Sequence, residues 1–335
     1  MTRIASQPSS IRTQSKLLLL CAVLSVPTHA ETCLSSSDMG EATRSALMNT
    51  ATQYFDLAAK GDSASLQQHA IASLASNFSG IENAVKENQA AFSGAQATPR
   101  QPFLLKAEGT APIARAEFLC GVFGAQGQTA NSAEFVIPNL PPGNYGLVTL
   151  EVNSPKGAHT LTFILQQTGT DWKLGGFYAK PAQISGHDGN WFAQQARTYK
   201  SKGQTRNAWF YYLEARELLV PVSFMYTQLT DKLYDEMQSV KPSDLPPADL
   251  AAGGKAYKLI DLFPVVVGND LDLVVKYQSA DVSNTGQTFQ ANISVMKALL
   301  AKYPEFREAF GGIVARAVEP SGRDYGSLMA MKDIK

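Results

Sequence analysis

Tyr145-Gly146-Leu147-Val148-Thr149-Leu150-Glu151-Val152, followed by Ala158-His159-Thr160-Leu161-Thr162-Phe163-Ile164-Leu165-Gln166 and Trp172-Lys173-Leu174-Gly175-Gly176-Phe177-Tyr178, decides the fold. These segments are rich in β-branched and aromatic residues and partly alternate, which predicts strands. The turns between them, Ser154–Gly157 and Gly169–Asp171, are too short for a parallel crossover, so the neighbours are expected to be antiparallel. Working upstream, Phe103–Glu108, Glu117–Phe123 and Ala133–Ile137 have the same texture, with turns at Gly124–Gly127 and Pro141-Pro142-Gly143-Asn144.

Before Gly94 the pattern is helical. Leu47, Ala51, Tyr54, Phe55 and Ala58 recur at three and four, giving one apolar face. Lys60-Gly61-Asp62 ends that helix, and Asp62 or Ser63 can cap a second one through Leu66, Ala70 and Leu74. A third follows Ser79-Gly80 and carries Ile81, Val85 and Phe92. Helices first and an antiparallel sheet afterwards define an α+β unit over residues 41–181.

Residues 188–240 return to helix. Lys241-Pro242-Ser243-Asp244-Leu245-Pro246-Pro247 is stiffened by its prolines and opens an expected linker over 241–254. Beyond it, Tyr257–Leu262, Leu271–Tyr277, Ile313–Val318 and Tyr325–Met331 are expected strands, with helices over Phe289–Lys302 and up to Phe310. A small α+β unit over 255–335 satisfies that order.

The chain has 335 residues, with 29 basic and 29 acidic side chains; 44% are hydrophobic and 17% charged. That composition supports a sizeable core and excludes a disordered chain. Balanced charge gives no electrostatic basis for nucleic acid as the partner. Arg3, Arg12 and Lys16, the apolar run Leu17–Val26 and Pro27-Thr28-His29-Ala30 form the pattern of a signal peptide over 1–30, cut near Ala30. The expected location is therefore periplasmic or secreted. Residues 31–40 become a short N-terminal segment, and no later run approaches the ~18 apolar residues of a spanning helix. Cleavage also removes Cys21. Cys33 and Cys120 are left, either bridged, as an exported compartment permits, or unpaired with Cys120 as a small core residue.

Tyr54-Phe55-Asp56, Lys60-Gly61-Asp62 and the closing segment Asp171–Tyr178 resemble the NTF2-like superfamily over residues 41–181. The resemblance implies three helices packed across a curved antiparallel or mixed sheet to form a cone. It also implies homodimerisation through the open sheet face. Ala196, Tyr199, Gly203, Ala208, Tyr212 and Ala215 are spaced as in a tetratricopeptide repeat, which implies one TPR-like hairpin over about 188–221. Small Ala196 and Ala208 let two helices approach, and Gly203 permits the turn.

A cone of this class can hold a carboxylate, alone or beside histidine, for proton transfer. Asp56, His69, Glu117, Glu134 and Glu151 are the candidates here, each with a solvated role as the competing reading. His69, His159 and His187 are scattered, with no C-x-x-C, H-E-x-x-H or EF-hand spacing, so neither metal nor cofactor is expected. His187-Asp188 between Gly186 and Gly189 reads as a turn. No nucleotide cradle or G-x-S-x-G elbow occurs.

Trp191-Phe192, Trp209-Phe210-Tyr211-Tyr212 and Phe224-Met225-Tyr226 place rings on several helix faces. They form either a seam within the chain or a binding patch, with Trp191, Trp209, Tyr211 and Tyr226 as its candidate residues. The leading expectation is an exported, non-catalytic binding or assembly protein for a small apolar ligand or an envelope protein. The alternative is a cofactor-free isomerase or hydrolase acting through a carboxylate in the cone.

Overall fold

The computed structural model describes residues 31–122 and 127–335. The export signal and its cut near Ala30 lie outside the described residues, as does Phe123. Among the described residues the chain is a mixed α+β protein, with nine α-helices and several antiparallel sheets. No helix among them is long and apolar enough to cross a membrane.

Strand β1 (Glu31–Leu34) leads into α1 (Glu41–Lys60), which buries the expected face of Leu47, Ala51, Tyr54, Phe55 and Ala58. Gly61 ends it at φ 73°, and the Gly61 and Asp62 N–H groups donate to Ala58 O and Leu57 O. The Asp62 carboxylate then caps α2 by accepting from Ser65 N at 3.0 Å. The expected second helix is split into α2 (Ser63–Gln68) and α3 (Ala72–Ala75). Its backbone is diverted to a strand: Ile71 N donates to Leu174 O, and Leu174 N donates to His69 O, both at 2.9 Å. Helix α4 (Ser79–Phe92) buries Ile81, Val85 and Phe92.

The strands are β2 (Gln96–Pro99), β3 (Phe103–Ala107), β4 (Ile113–Cys120), β5 (Ala133–Leu140), β6 (Gly143–Ser154), β7 (Gly157–Thr168) and β8 (Asp171–Pro181). One sheet runs β1-β3-β6-β7-β8 with β2 also against β6, every pair antiparallel. Alternation along β6 separates its two faces. Val148, Leu150 and Val152 meet the helices, while Leu147, Thr149 and Glu151 point away. On the helix side Leu47, Tyr54, Phe92, Leu150 and Phe163 are at most 2% exposed and share one core. Each such ring or branched chain contributes roughly 1.5–3 kcal/mol by leaving water.

A further strand pair, β9 (Gln183–Ile184) and β10 (His187–Asp188), precedes the hairpin of α5 (Gly189–Ser201) and α6 (Thr205–Leu219). The turn expected at His187-Asp188 falls at Ser185-Gly186 instead, both at positive φ, and the Asp188 carboxylate at the end of β10 caps α5 by accepting from Trp191 N at 2.9 Å. The helix expected to begin at Val222 begins later, because Met225–Tyr226 form strand β11, paired with Phe135 and Glu134. Thr227 and Thr230 exchange capping bonds to start α7 (Gln228–Gln238). Strands β11, β5 and β4 form a second sheet. It covers the outer face of the first at Leu105, Tyr145 and Leu147, where the resemblance had placed a homodimer contact.

Only the proline-rich part of the expected linker is a connection. Ala248–Ala252 form β12, joined to β13 (Lys255–Val267) by Gly253 and Gly254, both at positive φ. A two-residue turn with both central residues left-handed matches strand twist, and glycine adopts it without a Cβ penalty. Strand β14 (Asp270–Gln278), helices α8 (Thr285–Lys302) and α9 (Phe306–Ala309), and strands β15 (Gly312–Val318) and β16 (Asp324–Ala330) complete the chain. The sheet order is β12-β13-β14-β15-β16, with β14 and β15 parallel and α8 between them in sequence. Its α8 side shares one core with α5, α6 and α7.

Candidate functional site

The carboxylates expected for proton transfer do not converge. Asp56 and His69 are exposed at the helix surface. Glu117 is exposed on β4 beside Arg115, whose Nε donates to it at 2.6 Å. Glu134 is half-buried on β5. Glu151 faces away from the helices and is bound by Arg100 Nε at 2.8 Å. Both partners of that pair are about half exposed, so its net worth is at most about 1 kcal/mol. His159 lies near Phe92, and burial holds its pKa below the ordinary value.

The aromatic candidates divide. Tyr211 is 6% exposed and its hydroxyl donates to Ala309 O at 2.6 Å, fastening α6 to the C-terminal unit. Burial pushes its pKa far up. Trp191 and Trp209 pack half-buried against the same core, with Trp191 stacked on His187 at 3.7 Å. Tyr226 is half-buried on β11. Tyr211, Trp191 and Trp209 form a seam between the hairpin and the C-terminal unit, whereas Tyr226 lies apart from it, paired with Glu134 on the second sheet.

Beyond the second sheet, the outer face of β6 opens into a groove of about 1490 Å³. Its apolar lining includes Phe103, Leu219, Pro221, Met225 and Leu229, with the buried Leu147 at its floor. Arg44, Arg100 and Lys232 bring positive charge, and Glu151 opposes it. Several polar groups are already anchored. Arg44 Nη1 donates to Ser36 O at 3.0 Å, Arg100 N donates to Thr149 O at 2.8 Å, and Ser132 Oγ donates to Gly121 O at 2.7 Å. Strand β11 ends its sheet beside this groove, and Met225 and Thr227 line it.

Sequence reasoning missed Glu214. It sits on α6, 8% exposed, and burial with nearby Glu217 raises its pKa from 4.5 to about 7, against the pull of Lys180. Lys180 on β8 has its own pKa lowered by burial, and it donates to Glu217 O. The only signal was Glu214 on the apolar side of a helix whose neighbours at three and four, Tyr211 and Leu218, are buried. Among the described residues no group of three or more His, Cys, Asp or Glu could hold a metal ion. Comparisons with family models, curated proteins and solved structures find nothing that matches the chain.

Proposed function

We propose that the chain is an exported, non-catalytic binding protein that holds an extended polypeptide segment of an envelope partner in the groove beside β6. The observation that carries this reading is the groove itself, where apolar side chains such as Phe103, Met225 and Leu229 alternate with polar ones and Arg44, Arg100 and Lys232 outnumber Glu151. Apolar contacts with Phe103, Met225 and Leu229 select the side chains of the extended peptide. Acidic residues on the guest meet Arg44 and Lys232.

In this reading residues 41–181 are an NTF2-like scaffold, and α5 with α6 is a TPR-like hairpin serving as a structural brace. Packing of Leu47, Tyr54 and Phe163 on the helix side of the sheet supports an external groove over an apolar ligand in a cone. The exposure of Asp56, Glu117 and Glu151 weighs against the cofactor-free enzyme. The Cys33–Cys120 bond agrees with an oxidising compartment.

The test is co-purification from the exporting cell. Wild type should retain a protein partner that Leu229→Glu loses and Tyr234→Glu, a change at an exposed residue elsewhere on α7, keeps. Equal retention by both variants would refute the groove.

A further inference from the structure

The floor of the groove is graded along β6. Leu147, Thr149 and Glu151 alternate onto the outer face of that strand, so the floor passes from apolar to hydroxyl to carboxylate in steps of about 7 Å. Phe103 stands directly opposite Leu147 in register and so shares its face. Met225 packs on the same apolar core as these two. The Leu147 end of the floor is therefore where an apolar side chain finds apolar neighbours.

The Glu151 end is set by arginine. Arg100 is held beside it at both ends: its N–H donates to Thr149 O, and its Nε donates to Glu151 at 2.8 Å. Arg44 approaches from α1, where its Nη1 donates to Ser36 O at 3.0 Å. Ser36 Oγ in turn donates to Gln101, the residue after Arg100. One run of hydrogen bonds thus places two guanidiniums near a single carboxylate. Arg44 makes no ion pair among the described residues. Each guanidinium commits one N–H to these bonds and has others to offer a carboxylate.

We infer, resting on the reading of this groove as a peptide site, that the guest carries an apolar and an acidic side chain four positions apart. Leu147 and Glu151 are four residues apart, about 13 Å along the strand. An extended guest lying along the floor has the same repeat, whichever way its chain runs. Its apolar side chain then rests against Phe103, Leu147 and Met225, the side chain two positions on faces Thr149, and the acidic one reaches Arg44 and Arg100. The two intervening side chains point away from the floor. A spacing of three or five turns either the apolar or the acidic group away as well. Glu151 is outnumbered by the two guanidiniums, so a guest carboxylate is attracted on balance, and the arginine fork suits its shape.

The test is fluorescence anisotropy of the full exported chain with short labelled Ser/Thr peptides that carry one Leu and one Glu. The peptide with a spacing of four should bind about tenfold tighter than those with three or five, and changing its Glu to Gln should cost a similar factor. Arg44→Gln combined with Arg100→Gln should bind the Glu and Gln peptides alike. If that pair fails to fold, Glu151→Gln still decides, because it should tighten the Glu peptide severalfold and leave the Gln peptide unchanged. Binding that ignores the spacing, or that is equal for the Glu and Gln peptides on wild type, would overturn the inference and leave the groove a peptide site. Binding of none of the peptides would overturn it too. The groove reading then stands if Leu229→Glu still loses the partner in the exporting cell, and falls if it does not.

Discussion

Cys33 on β1 is bonded to Cys120 on β4, with their Cα atoms 5.0 Å apart and a separation of 87 positions in sequence. The bond ties the edge of the first sheet to the edge of the second, so the cover over Leu105, Tyr145 and Leu147 is held covalently.

Closing a loop of that length restricts the unfolded chain by about 4–5 kcal/mol in the chain-entropy account. Cys33→Ala with Cys120→Ala should therefore lower the unfolding free energy by several kcal/mol. Denaturant titration of both proteins measures it. An unchanged midpoint would show that the strands hold each other without the bond.

Glu214 makes stability depend on pH. Its carboxyl is raised in the folded state from 4.5 to about 7, so the native form binds its proton more tightly than the unfolded form. Below about pH 4.5 this difference has no effect. Between there and pH 7 stability falls, reaching a penalty on the order of 3 kcal/mol above pH 7. Glu214→Gln should raise Tm at pH 8 and leave it nearly unchanged at pH 4. Thermal melts at the two pH values read the sign, and a lower Tm at pH 8 would assign the charge a net attraction to Lys180.

Gly189 opens α5 against the end of α6. A Cβ there would stand 2.9 Å from Ala215 O and 2.6 Å from Leu219 Cγ. The first of these is backbone and cannot swing aside. Gly189→Ala should destabilise the chain by about 1–3 kcal/mol through overpacking. A chemical-denaturation midpoint equal to wild type would mean that the hairpin yields freely.

The hairpin and the C-terminal unit share one continuous apolar core. Tyr211 bonds Ala309 O, and Tyr199 donates to Glu308 O at 2.9 Å. Removing the Tyr211 hydroxyl leaves a carbonyl unpaired, so Tyr211→Phe should cost about 1–3 kcal/mol. Amide exchange in α6 and β14 should accelerate together. Acceleration confined to α6 would show separate unfolding.

The helix faces and the long strands were legible because periodicity reports burial directly. Leu47, Ala51, Tyr54, Phe55 and Ala58 on α1 are all buried, as their spacing requires. The break after α2 was hidden, since Ala70 and Leu74 suit a helix while the bonds that divert the chain come from Leu174, distant in sequence. Strand β12 was masked by its neighbours: Gly253-Gly254 suits the end of the expected linker over 241–254 but forms a tight hairpin turn. The groove was less legible still. Leu147, Thr149 and Glu151 were recognisable as one strand face, but no local pattern tells where the second sheet ends and α7 begins to flank that face.

The most direct measurement is site-specific photo-crosslinking in the exporting cell. A photoreactive residue is placed at Leu229 in the groove, and in a separate chain at Tyr234, outside it; both side chains are 45% exposed. A discrete protein adduct from position 229, lost on Met225→Glu and absent from position 234, is the result the account predicts. Adducts from position 234 alone, or none at 229 with correctly exported and folded protein, would contradict it.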